Sequence, residues 1–163
     1  MNNYYVFSRS KYYAQFGNDK LIEKYFEDDY IGGCIDIGAN NGIYLSNTKY
    51  FEDKGWYCLC IEPNKSYYND LLKYRKNSLD YITILNSIIE NNYKYNKIDF
   101  ISINSENTLN ILKDFDINKY FPKLFIIELN DPDISTYLEK IDYIKHNKNI
   151  YVKKNYITQL YKL

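Results

Sequence analysis

Two short stretches of this 163-residue chain carry residue types at spacings suited to chemistry. The first is Asp36-Ile37-Gly38-Ala39-Asn40-Asn41-Gly42, an acid and two glycines at the end of the apolar run Cys34 to Ile37. That run is too short for a helix and too apolar for a loop, so it predicts a buried strand. At Gly38 the backbone can turn sharply and a ligand can approach without meeting a Cβ. Asn40 and Asn41 are good N-cap types, and the spacing predicts a helix from Gly42 to Phe51 whose free N–H groups face the strand's end and suit a carboxylate. The second stretch, Trp56 to Asn64, is an apolar run that stops at Glu62, with Pro63 forbidding any extension. A carboxylate there can accept hydrogen bonds from both hydroxyls of a ribose.

The spacing disfavours a dinucleotide. A pyrophosphate wants G-x-G-x-x-G, whereas this turn reads Asp36-x-Gly38-x-x-x-Gly42 with Asn40 in place of the second glycine. S-adenosylmethionine has the matching groups: a ribose for Glu62, an amino-acid carboxylate for the turn at Gly38, Ala39, Asn40 and Gly42, and an ammonium that Asp36 could attract.

The elements that must position these residues follow from the pattern. An amphipathic helix is expected over Lys20 to Glu27, the βαβ unit over Cys34 to Ile61, and a second helix over Ser66 to Lys76. A β-branched third strand is expected over Tyr81 to Leu85, followed by the polar pair Asn86-Ser87 and a short polar stretch from Ile89 to Lys97. Strands over Ile98 to Ile103 and Leu124 to Leu129 flank a helix from Glu106 to Phe115. Asp131-Pro132-Asp133 starts a further helix with proline in its first turn. Its buried stripe runs through Ile134, Tyr137, Leu138 and Ile141 to Tyr143 or Ile144. Asn149 to Lys153 and Tyr156 to Tyr161 fit a closing antiparallel hairpin through Lys154-Asn155. Alternating strands and helices give an α/β fold: a doubly wound, mostly parallel sheet with helices on both faces and its ligands at the carboxyl ends of the strands. His146, the single histidine, is expected in a helix-to-strand loop at the opposite end.

The run Gly33 to Gly42, with Ser46-Asn47-Thr48, Gly55-Trp56 and Cys60-Ile61-Glu62-Pro63-Asn64, resembles the FkbM-type family of class I S-adenosylmethionine-dependent methyltransferases. Tyr13 to Asp19, Ile98 to Ile103 and Ile126-Ile127-Glu128 are similar to further segments of that family. The resemblance implies a Rossmann-like fold, S-adenosyl-L-methionine as cofactor, and methyl transfer to the oxygen of a sugar, glycan or other small hydroxylated acceptor. It places Gln15 and Asp19 near the cofactor, with a capped start to the first helix as the alternative, and Asn86 or Ser87 at the adenine, with a plain turn as the alternative. Where the family has Asp-x-Glu-Gly after the fourth strand, this chain has Asn104-Ser105-Glu106-Asn107. Glu106 or Glu128 would be the base and Asn104 would position the acceptor, because an amide can hold a hydroxyl but cannot take its proton. The stretch from Ile89 to Lys97 is much shorter than the family's insertion there, so a rival reading is a binding or structural module that keeps the fold with or without the cofactor.

Composition narrows the partners. Basic and acidic side chains balance at 21 each, with no run of Lys or Arg to argue for a nucleic acid. The apolar runs are of strand length, which argues against a membrane span, and the start lacks the pattern of a signal peptide, so an intracellular, cytoplasmic protein is expected. Cys34, Cys58 and Cys60 all fall on expected core strands; Cys58 and Cys60, neighbours on one strand, cannot form an ordinary disulfide, and no spacing suits a metal. The chain is expected to form one methyltransferase-like domain over 1 to 163, with 1 to 9 a loose terminus. The oligomeric state is not legible.

Overall fold

The computed structural model describes residues 11–80, 85–95 and 97–160. Four apolar runs become the parallel strands β1 (Gly33–Ile37), β2 (Tyr57–Ile61), β4 (Phe100–Ile103) and β5 (Leu124–Ile127), the two-residue β3 (Ser78–Leu79) pairs parallel beside β2, and a hairpin of β6 (Tyr143–Lys145) and β7 (Ile150–Lys153) completes the sheet. The order is β3-β2-β1-β4-β5-β7-β6, and β7 alone runs antiparallel to both neighbours. The order reverses between β1 and β4, which pair in register from Cys34 opposite Phe100 to Ile37 opposite Ile103. A doubly wound sheet opens a crevice at such a point, beyond the strands' carboxyl ends.

Alternation along each strand sorts the side chains onto two faces. Ile35, Ile37, Leu59, Ile61, Ile101, Ile103, Phe125 and Ile127 meet α4 (Leu85–Asn92), α5 (Thr108–Asp114) and α7 (Pro132–Lys140) on one side. Cys34, Cys58, Phe100, Leu124 and Ile126 meet Ile22 of α1 (Asn18–Glu23), Phe51 of α2 (Lys49–Asp53) and the partly buried Tyr156 of α8 (Lys154–Leu160) on the other. On that second side α3 (Lys65–Tyr74) seats Leu71 over Cys60 and Ala39. Full burial of each such aliphatic or aromatic side chain contributes about 1.5–3 kcal/mol, so the two layers carry the fold. A short helix α6 (Ile117–Tyr120) precedes β5, capped by the Asp116 carboxylate. The Asn64 side chain caps α3 by accepting from the Ser66 N–H at 2.9 Å, and Asp131 does the same for α7 with Pro132 at the first position.

Several expected elements shift. The helix expected from Gly42 to Phe51 shrinks to α2, and residues 38–48 form an ordered loop. Side chains compete for its backbone: Asn41 Oδ1 accepts from the N–H groups of Ile43 and Tyr44, and Ser46 Oγ from those of Thr48 and Lys49. Asn40, Gly42 and Leu45 also take positive φ, which no right-handed helix permits. The third strand forms at Ser78–Leu79, ahead of the expected Tyr81 to Leu85, of which 81–84 lie outside the described residues. Leu85 already begins α4, so Asn86 and Ser87 sit on a helix, which runs on through residues 89–92 of the stretch read as short and polar.

The antiparallel closing strands exist, but in another register of the sequence. Asp142, at φ 67°, ends α7, and Tyr143 and Ile144 start β6 instead of extending the helical stripe. Lys154 onward forms α8, not the second strand of a hairpin. His146 therefore lies in the β6–β7 turn. Because β7 runs against β5, with Ile150 opposite Ile126, that turn stands at the carboxyl end of the parallel strands, not the far end. There the Tyr25 hydroxyl is hydrogen-bonded to His146 Nδ1. Cys34 and Cys58 are register partners on β1 and β2 with sulfurs 2.9 Å apart, and all three cysteines are free. Among the described residues, no helix is long and apolar enough to cross a membrane.

Candidate functional site

Gly38 leaves β1 at φ +76°, and a Cβ built on it would stand 2.1 Å from the carbonyl oxygen of Asn104, which leaves β4 beside it. Only glycine fits both the left-handed backbone and that close approach. The turn is drawn back over β2 by the N–H groups of Gly38 and Ala39, which donate to the Ile61 carbonyl at 2.9 and 3.2 Å. Glu62 then closes the gap: its carboxylate accepts from the Asn40 N–H at 2.8 Å and from the Asn64 N–H at 2.7 Å. Glycine turn and acid thus share one hydrogen-bonded frame, with Glu62 6% exposed.

Two hollows flank Gly38. One, about 210 Å³, is walled by Gly38, Asn40, Glu62, Asn64, Tyr67 and Asn104. The other, about 90 Å³, is walled by Asp36, Gly38, Asn40, Ser102, Asn104 and Glu128, with Ala39, Asn47 and Gln15 among its further lining. Gly38, Asn40 and Asn104 border both, so the hollows are two arms of one crevice.

The acids of the second arm differ in their surroundings. Asp36 and Ser102 are register partners on β1 and β4, and Glu128 follows β5 on the same face. Asp36 Oδ2 accepts from the hydroxyls of Thr48 at 2.7 Å and Ser46 at 3.3 Å. Behind them Arg75, at the end of α3, donates to Thr48 Oγ1 at 2.8 Å, Ser46 Oγ at 3.2 Å and the Gly42 carbonyl at 2.9 Å, and its Nε lies 3.0 Å from Glu52. This buried guanidinium does the locking that the missing helix would have done, and balances Asp36 through two hydroxyls. Among the described residues Glu128 has only neutral donors: Asn47 Nδ2 at 3.0 Å and Asn18 Nδ2 at 3.4 Å, both on Oε1. Burial pushes its carboxyl above the usual carboxylate range, the negative charge of Asp36 adds to the rise, and the two amides counter it.

The crevice thus gathers Asp36, Gly38, Ala39, Asn40, Glu62, Asn104 and Glu128 from the sequence-derived set. Gly42 stands behind its wall, where an added Cβ would meet the Arg75 side chain at 2.5 Å. Asn86 is turned elsewhere, donating to the Asp114 carbonyl at 2.6 Å and accepting from the Asp116 N–H at 2.9 Å, with the exposed Ser87 beside it. Glu106 is exposed and lines neither arm. Gln15 reaches the second arm, whereas Asp19 caps the loop before α1 by accepting from the N–H groups of Tyr13 and Ala14 at 2.6 and 3.0 Å. Sequence reasoning gave Arg75, Asn18, Tyr67 and Asn47 no role in the site. The signal for Arg75 was a cation at a helical position facing the core; the other three carry none.

No family model matches the chain, and neither does any curated protein. Among solved structures it is similar to a precorrin-6y C5,15-methyltransferase from Geobacter metallireducens GS-15, at 15% identity over 84% of this chain and 75% of that one, with a TM-score of 0.54. A SAM-dependent methyltransferase from Archaeoglobus fulgidus aligns at 15% identity over 94% of this chain and 67% of that one, with a TM-score of 0.43, too low to carry weight. Strand order, the antiparallel β7 and the first of these likenesses agree: the chain has the Rossmann-like fold of class I methyltransferases.

Proposed function

We propose that the crevice binds S-adenosylmethionine and that the protein is a methyltransferase. The observation that carries this reading is the crevice's charge: Asp36, Glu62 and Glu128 line it, and no Lys, Arg or His does so among the described residues. Three carboxylates repel the two phosphates of a dinucleotide and favour a ribose-bearing cation. The wider arm would take the nucleoside, with the free lone pairs of Glu62 accepting from the ribose hydroxyls and Tyr67 offering a ring face to the base. The strictly glycine-sized turn at Gly38 would pass the amino-acid portion into the narrower arm. Bound there, the donor supplies a methyl group already activated on a sulfonium, so the protein's task is mainly alignment.

Of the three residues considered for catalysis, Asn104 borders both arms beside the junction at Gly38 and is the group to align an acceptor hydroxyl. The FkbM-type resemblance supports a sugar, glycan or other small hydroxylated acceptor and an oxygen as the methylated atom. A second reading, a donor-binding module without turnover, is favoured by two observations: the FkbM-type family's aspartate is replaced by Asn104, and Glu106 is exposed and lines neither arm.

Calorimetry with S-adenosylhomocysteine and with NAD tests the first step. Binding of the former alone, much weakened in Glu62→Ala, supports the donor reading, and binding of NAD alone rejects it. A methyl-transfer assay over a panel of free sugars and glycans then separates enzyme from module by the presence or absence of product.

A further inference from the structure

Of four acids on or near β1, β2 and β5, two are balanced by Arg75 and a third has both oxygens bonded by the backbone. Glu52 pairs with Arg75 at 3.0 Å. Asp36 is held by two hydroxyls that the same guanidinium bonds. Glu62 has no cation either among the described residues, but a backbone N–H is bonded to each of its two oxygens. Glu128 is the exception. Its two hydrogen bonds come from neutral amides and both end on Oε1, among the described residues no ion pair reaches it, and it lines the narrower arm of the crevice.

A half-buried carboxylate with no cation is costly unless something supplies one. Asn18 and Asn47 come from separate parts of the chain, are 3% and 4% exposed, and are themselves joined by a hydrogen bond of 3.1 Å. Asn47 is fixed in turn by donating to Ser102 at 3.1 Å. This support spends one oxygen of Glu128 and leaves Oε2 for a ligand. What the arm lacks is a positive charge small enough for about 90 Å³ and attached to something that crosses Gly38.

We propose that Glu128 is the seat of the donor's α-ammonium group, in place of Asp36, and serves binding, not proton abstraction. The assignment rests on the donor reading above. Asp36 then serves the wall itself, fixing the loop through Thr48 and Ser46, while Oε2 of Glu128 accepts from the ammonium and completes an ion pair that the ligand-free protein lacks.

The test is a cycle of two ligand changes and one substitution, read by calorimetry. S-adenosylhomocysteine carries the ammonium, its desamino analogue keeps the carboxylate without it, and 5′-methylthioadenosine lacks the whole amino-acid portion. Glu128→Gln should weaken S-adenosylhomocysteine tenfold or more and leave both other ligands within about twofold, because a charge-assisted bond is lost only where the charge exists. The wild-type protein should discriminate against the desamino analogue by a similar factor. Equal weakening of all three ligands, or of none, overturns the assignment while leaving the donor reading intact. Failure of the wild-type protein to bind any of them overturns both. Should Glu128→Gln not fold, the wild-type preference for S-adenosylhomocysteine over the desamino analogue decides alone, and its absence overturns the proposal.

Discussion

The two ends of the sheet treat a buried acid in opposite ways. At the amino end Asp99, fully buried, is surrounded: Lys123 lies 3.1 Å away and Lys97 3.5 Å, the Tyr30 hydroxyl donates to it, and so does the Gly33 N–H at 3.0 Å. At the carboxyl end Glu128 has two amides and an open hollow. Both carboxylates sit beside strands of the same core, so burial alone does not tell a structural acid from a binding one. The counter-charge does. An acid whose cation comes from the chain ties elements together, and one whose cation is missing is poised to take it from a ligand.

Removing Asp99 should have the largest effect on stability and a small one on binding. Asp99→Ala leaves Lys123 without its carboxylate and Gly33 without its acceptor. It should cost about 3–5 kcal/mol in denaturant unfolding, with S-adenosylhomocysteine affinity nearly unchanged below the transition. A stable Asp99→Ala protein with poor affinity would break the division between the two ends. Gly38→Ala sets a methyl group against the Asn104 carbonyl at a positive φ. It should lose about 1–3 kcal/mol and nearly all donor affinity, since the displaced loop carries the turn and Asn40 together.

Glu62→Gln keeps one acceptor oxygen and loses the other. Its expected signature is about a tenfold loss of affinity for S-adenosylhomocysteine and methylthioadenosine alike, corresponding to about 1.4 kcal/mol. A loss confined to the former would move the ribose away from Glu62.

Glu128→Gln sharpens the comparison most with the smallest shift. Burial raises the Glu128 carboxyl, so the folded protein binds that proton more tightly than the unfolded chain does. The stability this gives is full below the unfolded value and lost as pH rises through the folded one. At neutral pH the ionised side chain is therefore a burden, and Glu128→Gln should raise the Tm of the ligand-free protein by about 1–3 °C, allowing for its partial exposure. The gain should fade as pH falls through the carboxylate range. A lower Tm in differential scanning fluorimetry at pH 7 would mark Glu128 as a structural acid like Asp99.

Most of the sheet was legible because strand burial leaves a mark that needs no partner. Cys58 to Ile61 and Leu124 to Ile127 are apolar on both faces, as is Cys34 to Ile37 but for Asp36, and only the middle of a parallel sheet buries both. Gly38 and Glu62 were legible for a related reason: a glycine after one strand and an acid ending the next fix the two sides of a turn by local geometry. The misread segments are those where local preference was divided. Residues 42–48 follow two good N-cap types, Asn40 and Asn41, but Asn41 and Ser46 bond the loop's own backbone and Arg75 secures the result from another element. Tyr143 and Ile144 continue a helical stripe by spacing, but pairing with β7 outweighs it.

The sequence by itself determined the layers, the place of the crevice and the acid on either side of its turn, because each depends on periodicity or on what a single residue's backbone can do. Only the tertiary structure decided which acids are balanced. Arg75 reaches Asp36 through Thr48 and Ser46 from the end of α3, and Asn18 and Asn47 meet at Glu128 from opposite sides of β1 in the chain. The interaction of a charge with its counter-charge depends on distance in space, and no spacing along the chain encodes that distance.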